Sequence, residues 1–251
     1  MAMSRYFMEL AYRGTNYCGW QIQPNSVSVQ EKLQQALTAI LTQTIDVTGA
    51  GRTDAGVHAA YMVAHFDTDA FFNCSELTKR LNRFLPGDIV ILSITEVDSE
   101  SHSRFSAISR SYEYRITTKK NPFLLQLAHR VTYCPDFDAM NHAATHLLQH
   151  SDFTSFSKLH TDVKNNLCTI TRSIWEPRGV EWIFRIEANR FLRNMVRAIT
   201  GTLLDVGRGK ITIEHFNEII IAKDRSLAGT SAPAQGLYLV DIKYPDTIFK
   251  K

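Results

Sequence analysis

Arg52 and Asp54 stand two residues apart in a stretch otherwise made of small side chains, Gly49-Ala-Gly-Arg-Thr-Asp-Ala-Gly-Val-His-Ala59. Glycine and alanine let a backbone approach a bulky partner closely. In an extended loop, residues two apart point to the same side. The stretch would then offer a guanidinium and a carboxylate together to a large ligand. A tight turn with both charges solvated accounts for the same residue types. Phosphate-loop readings fail on spacing. A G-x-G-x-x-G run from Gly49 needs a glycine where Asp54 stands, and a carboxylate there repels a pyrophosphate held at a helix N-terminus. The Gly-Lys-Ser/Thr ending of a P-loop is missing.

A second group lies in Asn189-Arg-Phe-Leu-Arg-Asn-Met-Val-Arg197. The pattern predicts a helix over 190–206, with Arg190, Arg193 and Arg197 sharing one face. Leu192, Val196, Ile199 and Leu203 would form the opposite, buried face. A solvated basic face is the commoner use of such a stripe. Three arginines without a lysine favour phosphate or carboxylate binding, which the guanidinium fork matches. In Arg110-Ser-Tyr-Glu-Tyr114, strand alternation puts Arg110, Tyr112 and Tyr114 on one side, where a tyrosine can stack on a base or simply pack in a sheet. His142, His146 and His150 repeat at helical spacing, but no carboxylate completes a zinc-type motif. His58 and His65 are seven apart in a strand, face opposite sides and make a poor metal pair. No metal site is expected.

These groups need elements to hold them. Strands are predicted over 6–12, 45–48, 57–68 and 89–97. Helices are predicted after the capping box Ser28-Val-Gln-Glu31 and over 75–84. The first hundred residues thus run β-α-β-β-α-β, the order of a split, ferredoxin-like unit. A polar run over 98–103 suggests a boundary between an N-terminal lobe, 1–104, and a C-terminal lobe, 105–251. The second lobe is predicted to hold strands over 109–117, 128–133, 170–176, 182–189 and 237–244. Its helices are predicted over 138–150, 190–206 and 213–222, with a long loop over 155–169. The fold class expected is α+β: two related lobes with mainly antiparallel sheets packed by helices.

With 251 residues, 44% of them hydrophobic and 21% charged, the chain is ordinary globular material. No apolar run approaches the ~18 residues of a membrane span. Four scattered cysteines without a C-x-x-C fit a reducing cytoplasm. A net charge of +3 permits a polyanionic partner without requiring one.

Gly51-Arg-Thr-Asp-Ala-Gly-Val-His-Ala59 resembles the signature of the TruA family of tRNA pseudouridine synthases. The likeness continues through Tyr12-Arg-Gly-Thr-Asn-Tyr-Cys-Gly-Trp-Gln21, His102-Ser-Arg-Phe-Ser-Ala107 with Arg110 and Tyr112, Phe191-Leu-Arg-Asn-Met-Val-Arg197, and Ala232-Pro-Ala-Gln-Gly-Leu-Tyr-Leu239. It spans essentially the whole chain. Arg13 stands where many members have aspartate, and Ser103 where alanine is usual. The resemblance implies a pseudouridine synthase fold with a central cleft. It implies isomerisation of uridines 38 to 40 in the tRNA anticodon stem-loop by a homodimer that uses no metal or cofactor. It makes Asp54 the catalytic aspartate, Arg52 the residue that displaces and holds the nucleotide, Tyr112 the ring under the uracil, Arg197 the partner of Asp54, and Leu237 part of the base pocket. His58, Arg190, Arg193 and Arg110 are further candidates for substrate contact. Two other classes compete: a non-catalytic tRNA-binding or folding module using the same basic face, and a metal-dependent nuclease. The first has no use for a carboxylate aimed at a phosphate-rich ligand. The second needs clustered carboxylates, and near the stretch only Asp46, Asp54 and Asp67 occur.

Overall fold

The computed structural model describes residues 3–158 and 165–248. The chain forms two compact units, residues 1–108 with 239–251, and residues 109–238.

The first unit is built on β1 (Ser4–Tyr12), α1 (Val29–Leu41), β2 (Thr48–Gly49), β3 (His58–Thr68), α2 (Cys74–Phe84) and β4 (Ile89–Val97). The strands pair antiparallel in the order β4-β1-β3, with β2 on the far side of β3. That is the sheet of a split βαβ unit. Ser28 caps α1 through the expected box, with Glu31 N donating to Ser28 Oγ at 3.2 Å. Asn73 caps α2 in the same way. Phe7, Met8, Leu10, Leu33, Leu37 and Phe66 are buried, with Met8 and Phe66 on one face of the sheet and Phe7 on the other. The second strand is shorter than the expected 45–48. Ile45 and Val47 bury their side chains without joining the ladder, and pairing begins only at Thr48.

The second unit holds β5 (Ser109–Thr117), β6 (His129–Arg130), α3 (Phe137–His146), β7 (Ile170–Arg178), β8 (Glu181–Ala188), α4 (Met195–Gly207) and α5 (Ile213–Ala222). Its antiparallel order β5-β8-β7 repeats the β1-β3-β2 order of the first unit, and β6 adds a short parallel edge to β5. Tyr114, Phe153, Phe156, Trp175, Phe184 and Phe216 are fully buried. On the other side of β5, Glu113 is 5% exposed and lies within 2.5 to 3.2 Å of Arg185, Arg115 and Arg178. Three cations around one carboxylate satisfy an otherwise costly buried charge. The final strand, β9 (Leu237–Lys243), starts at the end of the second unit, while residues 239–251 group with the first. A single cut at 104/105 would keep that strand with the second lobe.

Two sequence expectations change here. The third helix ends at His146, and Leu147–Gln149 continue as a 3-10 turn. His150 leaves the histidine stripe and sits with Nε2 2.7 Å from Asn217 Oδ1. The fourth helix does not start at residue 190. Asn194 takes a left-handed conformation, φ 66°, and α4 begins at Met195. It is buried nearly all round, not on one face. Part of the long 155–169 loop, residues 159–164, lies outside the described residues. No helix of the described residues is long and apolar enough to cross a membrane. The four cysteines are free thiols.

Candidate active site

In the first unit, Arg52, Asp54 and His58 belong to the connection from β2 to β3. This connection is tied to residues 12–20 at nearly every turn. Trp20 N donates to Thr53 O at 3.2 Å, and Gly56 N donates to Tyr17 O at 3.3 Å. Gly19 and Asp54 form an isolated antiparallel bridge. Tyr12 Oη lies 2.8 Å from Thr53 Oγ1, and Gly14 N donates to His58 Nδ1 at 3.0 Å. Val57 N closes the loop on Asp54 O at 3.1 Å. The clasp is anchored in turn on Asp88. Asp88 accepts from Arg13 N at 2.9 Å, Asn16 Nδ2 at 3.0 Å and Tyr17 Oη at 2.5 Å. Burial and that carboxylate push the Tyr17 hydroxyl pKa up, so the phenol stays a donor.

This clasp gives the small residues their reasons. A methyl group at Gly49 would strike the indole of Trp20, and one at Gly14 would strike the carbonyl of Val57. Gly56 lies at φ 77°, where glycine alone is unstrained. Gly51 differs, because nothing lies within 4 Å of an added methyl there. The leanness of the stretch therefore comes from the protein's own packing at Gly49 and from backbone conformation at Gly56. At Gly51 the space is open. Asp54 is half-buried and Arg52 exposed on this fixed loop. His58 departs from its expected substrate contact. It is 1% exposed and accepts from Gly14, so its ring holds the loop and does not face a ligand.

In the second unit, Tyr112 of β5 packs edge-on against Phe191, with centroids 5.1 Å apart at 88°. Arg110, two residues earlier, donates through Nη1 to Asn189 O at 3.0 Å. Arg197 lies in the first turn of α4, and its Nε donates to Ala232 O at 2.8 Å while Ala232 N returns a bond to Arg197 O at 2.9 Å. The 231–237 segment is fixed further by Tyr114 Oη on Pro233 O (2.7 Å) and Asn194 Nδ2 on Ser231 Oγ (2.6 Å). Leu237 follows it, 6% exposed. The structure thus brings Tyr112 beside Phe191 and ties Arg197 to the segment that carries Leu237. It does not make an arginine stripe. Arg190 and Arg193 precede α4 in non-helical chain, Arg190 reaching Asn165 Oδ1 at 3.4 Å and Arg193 exposed. The i, i+3 spacing fails because residues 190–192 are not helical and the helix starts only after the left-handed turn at Asn194.

Among the described residues, no group of three His, Cys, Asp or Glu side chains could hold a metal ion. Gly14, Tyr17 and Trp20 hold the Asp54 loop in place, a role that the residue pattern alone leaves hidden. The signal present is two glycines flanked by aromatics in a segment too short for an element.

A known family profile matches the Asp54 loop with the segment it is bonded to and, in the second unit, the chain around Arg197 and Leu237, but not β5 with Tyr112. The profile described as tRNA pseudouridine synthase matches residues 10–106 and 143–245. The chain belongs to the tRNA pseudouridine synthase family. A Bacteroides thetaiotaomicron protein named tRNA pseudouridine synthase A is 53% identical over 252 residues, covering 99% of this chain and 94% of that protein. A Parabacteroides distasonis protein of the same name is 52% identical, covering 98% of each chain. One from Colwellia psychrerythraea is 40% identical, covering 96% of this chain and 94% of its own. For a tRNA pseudouridine synthase, a carboxylate on a main-chain clasp and a tyrosine in a fixed aromatic setting are chemically apt groups.

Proposed function

We propose that this chain isomerises uridine to pseudouridine at positions 38 to 40 of the tRNA anticodon stem-loop, with Asp54 as the essential carboxylate. The observation that carries the reading is the clasp. The two segments with the strongest family likeness, 12–21 and 51–59, are bonded to one another, and the residue they hold is Asp54. Relatives named tRNA pseudouridine synthase A, matched along nearly their whole length, support the substrate and the reaction.

The reaction breaks the N1–C1′ glycosidic bond, turns the base and joins C5 to C1′. The C5 proton leaves to solvent. Two bonds of one nucleoside are exchanged, so the balance needs no oxidant, reductant or co-substrate, and the reading includes no cofactor and no metal. Three roles suit Asp54: attack on C1′, addition to C6, and removal of a ribose proton. The target nucleotide must leave its stack to reach a half-buried carboxylate. Arg52, exposed beside Asp54, suits displacing and holding it. Tyr112 offers its π-face to the freed uracil, and Leu237 an apolar wall. Arg197 supplies positive charge to the reaction centre, and Arg110, Arg190 and Arg193 bind phosphate. His58 acts by positioning the loop. The reading extends to a cytoplasmic homodimer, checked by sedimentation of the purified chain.

The test is tritium release from unmodified tRNA labelled at uracil C5, with EDTA throughout, followed by mapping of pseudouridine in the product. The reading expects release to water and pseudouridine within 38 to 40. Tight tRNA binding with no release would overturn it in favour of a binding module.

A further inference from the structure

The turn over residues 101–106 is braced from every side. Ser101 N donates to Asp98 O and Ser106 N to His102 O, both at 2.9 Å. His102 N donates to Ser106 Oγ at 2.9 Å, and His102 Nδ1 accepts from the amides of Arg104 and Phe105 at 3.1 and 3.4 Å. Arg5, paired through two bonds with Asp67, reaches Ser101 O at 3.0 Å, and Tyr244 Oη donates to Ser103 O. Ser103 Oγ lies 2.8 Å from His65 Nδ1 and donates to Thr48 O at 2.9 Å. Thr48 begins β2, the strand that feeds the Asp54 loop. Ser103 therefore bolts the turn to the base of that loop.

On this mount the rings form a column from core to surface. His65 is 6% exposed and packs edge-on against His102, with centroids 4.6 Å apart. His102 packs against Phe105 at 4.4 Å, and Phe105 is 74% exposed. The guanidinium of Arg104 lies 5.4 Å from the Phe105 centroid. Burial first, and Arg5 second, lower the pKa of both histidines, so His102 stays a neutral acceptor for the two amides at neutral pH. Single exposed aromatics are ordinary. This one is held rigidly, carries a cation at its ring and stands on the support of the Asp54 loop. An exposed ring with an arginine over it is the chemistry of a single-stranded nucleic acid platform, where bases stack regardless of sequence.

We propose that Phe105 and Arg104 form a further tRNA contact, in which an unpaired base stacks on the exposed ring of Phe105 and Arg104 pairs with a backbone phosphate. The inference rests on the tRNA reading above. It assigns the turn to holding RNA, and the chemistry stays with Asp54.

The test uses the full chain carrying Asp54→Asn, so that binding of unmodified tRNA is read without turnover. Phe105→Ala in that background is expected to weaken binding about 10-fold, with Phe105→Tyr restoring most of it. Melting temperature should be unchanged, since the ring is mostly in water. Arg104→Gln should lower the slope of log K against log salt by about 1. In the otherwise wild-type chain, Phe105→Ala should raise KM and leave kcat unchanged. Undiminished binding by a well-folded Phe105→Ala chain would overturn the platform and leave the enzyme reading standing. Equal losses in the Ala and Tyr variants with a lowered melting temperature would overturn it too, as a structural effect. Failure of the parent Asp54→Asn chain to bind tRNA would overturn the tRNA reading and this contact with it.

Discussion

Asp54 and Arg197 sit in regions that are held by different kinds of bond. Around Asp54 the fastening is mostly main chain to main chain, from Trp20 to Thr53, Gly56 to Tyr17 and Val57 to Asp54 itself, with glycines where the strands touch. Around Arg197 the fastening runs mostly through side chains, from Arg197 to Ala232, Asn194 to Ser231 and Tyr114 to Pro233, beside one main-chain bond from Ala232 to Arg197. A main-chain clasp tolerates changes of side chain except where a side chain must be absent. A side-chain clasp tolerates added atoms and fails when a donor is removed. The first region should therefore be sensitive to gain of bulk and the second, except at Gly201 where a methyl would meet Thr230 O, to loss of a hydrogen bond.

The largest expected effect breaks the first region. Gly14→Ala drives a methyl into the Val57 carbonyl and disturbs the Gly14–His58 bond. It should cost about 3 kcal/mol of stability, read as a lowered denaturant midpoint, and should abolish tritium release. A neutral outcome would mean that the clasp yields freely. A pair of neighbouring glycines sharpens the point. Gly49→Ala meets the Trp20 indole, whose side chain can shift, and should cost about 1–3 kcal/mol. Gly51→Ala meets nothing and should stay within about 0.5 kcal/mol of wild type. If RNA lies against Gly51, its Ala variant will raise KM at unchanged stability. If KM also stays constant, the loop is lean for the protein's sake alone.

Acid should loosen the support of the Asp54 loop. His65 has its pKa lowered from 6.5 to about 4, by burial and then by Arg5. The folded state disfavours the protonated ring, while the unfolded chain takes up the proton near 6.5. The stabilisation is thus present above pH 6.5 and lost as pH falls toward 4. It should amount to roughly 1–3 kcal/mol, seen as a drop in unfolding free energy across that window. His65→Gln should flatten that drop, and an unchanged profile would remove His65 as its cause.

A moderate effect tests the second region. Asn194→Ala loses the bond to Ser231 and puts alanine at φ 66°. It should cost about 1–2 kcal/mol. Asn194→Gly keeps the conformation and should cost less. Equal costs in the two variants would show that the conformation at 194 is not what limits the turn.

The same contrast explains how much the sequence revealed. Strand alternation and capping signals locate β1, β3, β4, β5, α1 and α2 within a few residues, since those signals are local. The Asp54 stretch stands out because glycine, arginine and aspartate are rare company in a core. The clasp stays hidden, because the reason for Gly14 is Val57, forty-three residues away (57 − 14) and visible only in space. The arginine helix misleads for a local reason. Arg190 and Arg193 have good helical spacing, but the chain there is not helical and the helix begins only after the left-handed Asn194. His58 misleads because a histidine beside the Asp54 loop looks like a ligand contact until its burial is known.

The central claim is that a carboxylate held on a main-chain clasp carries the isomerisation. Asp54→Asn keeps the shape of the side chain and removes its charge. Its tritium release from C5-labelled tRNA should fall at least about 10³-fold, while its melting temperature and tRNA affinity stay near those of wild type. Substantial release by a well-folded Asp54→Asn chain would contradict the account.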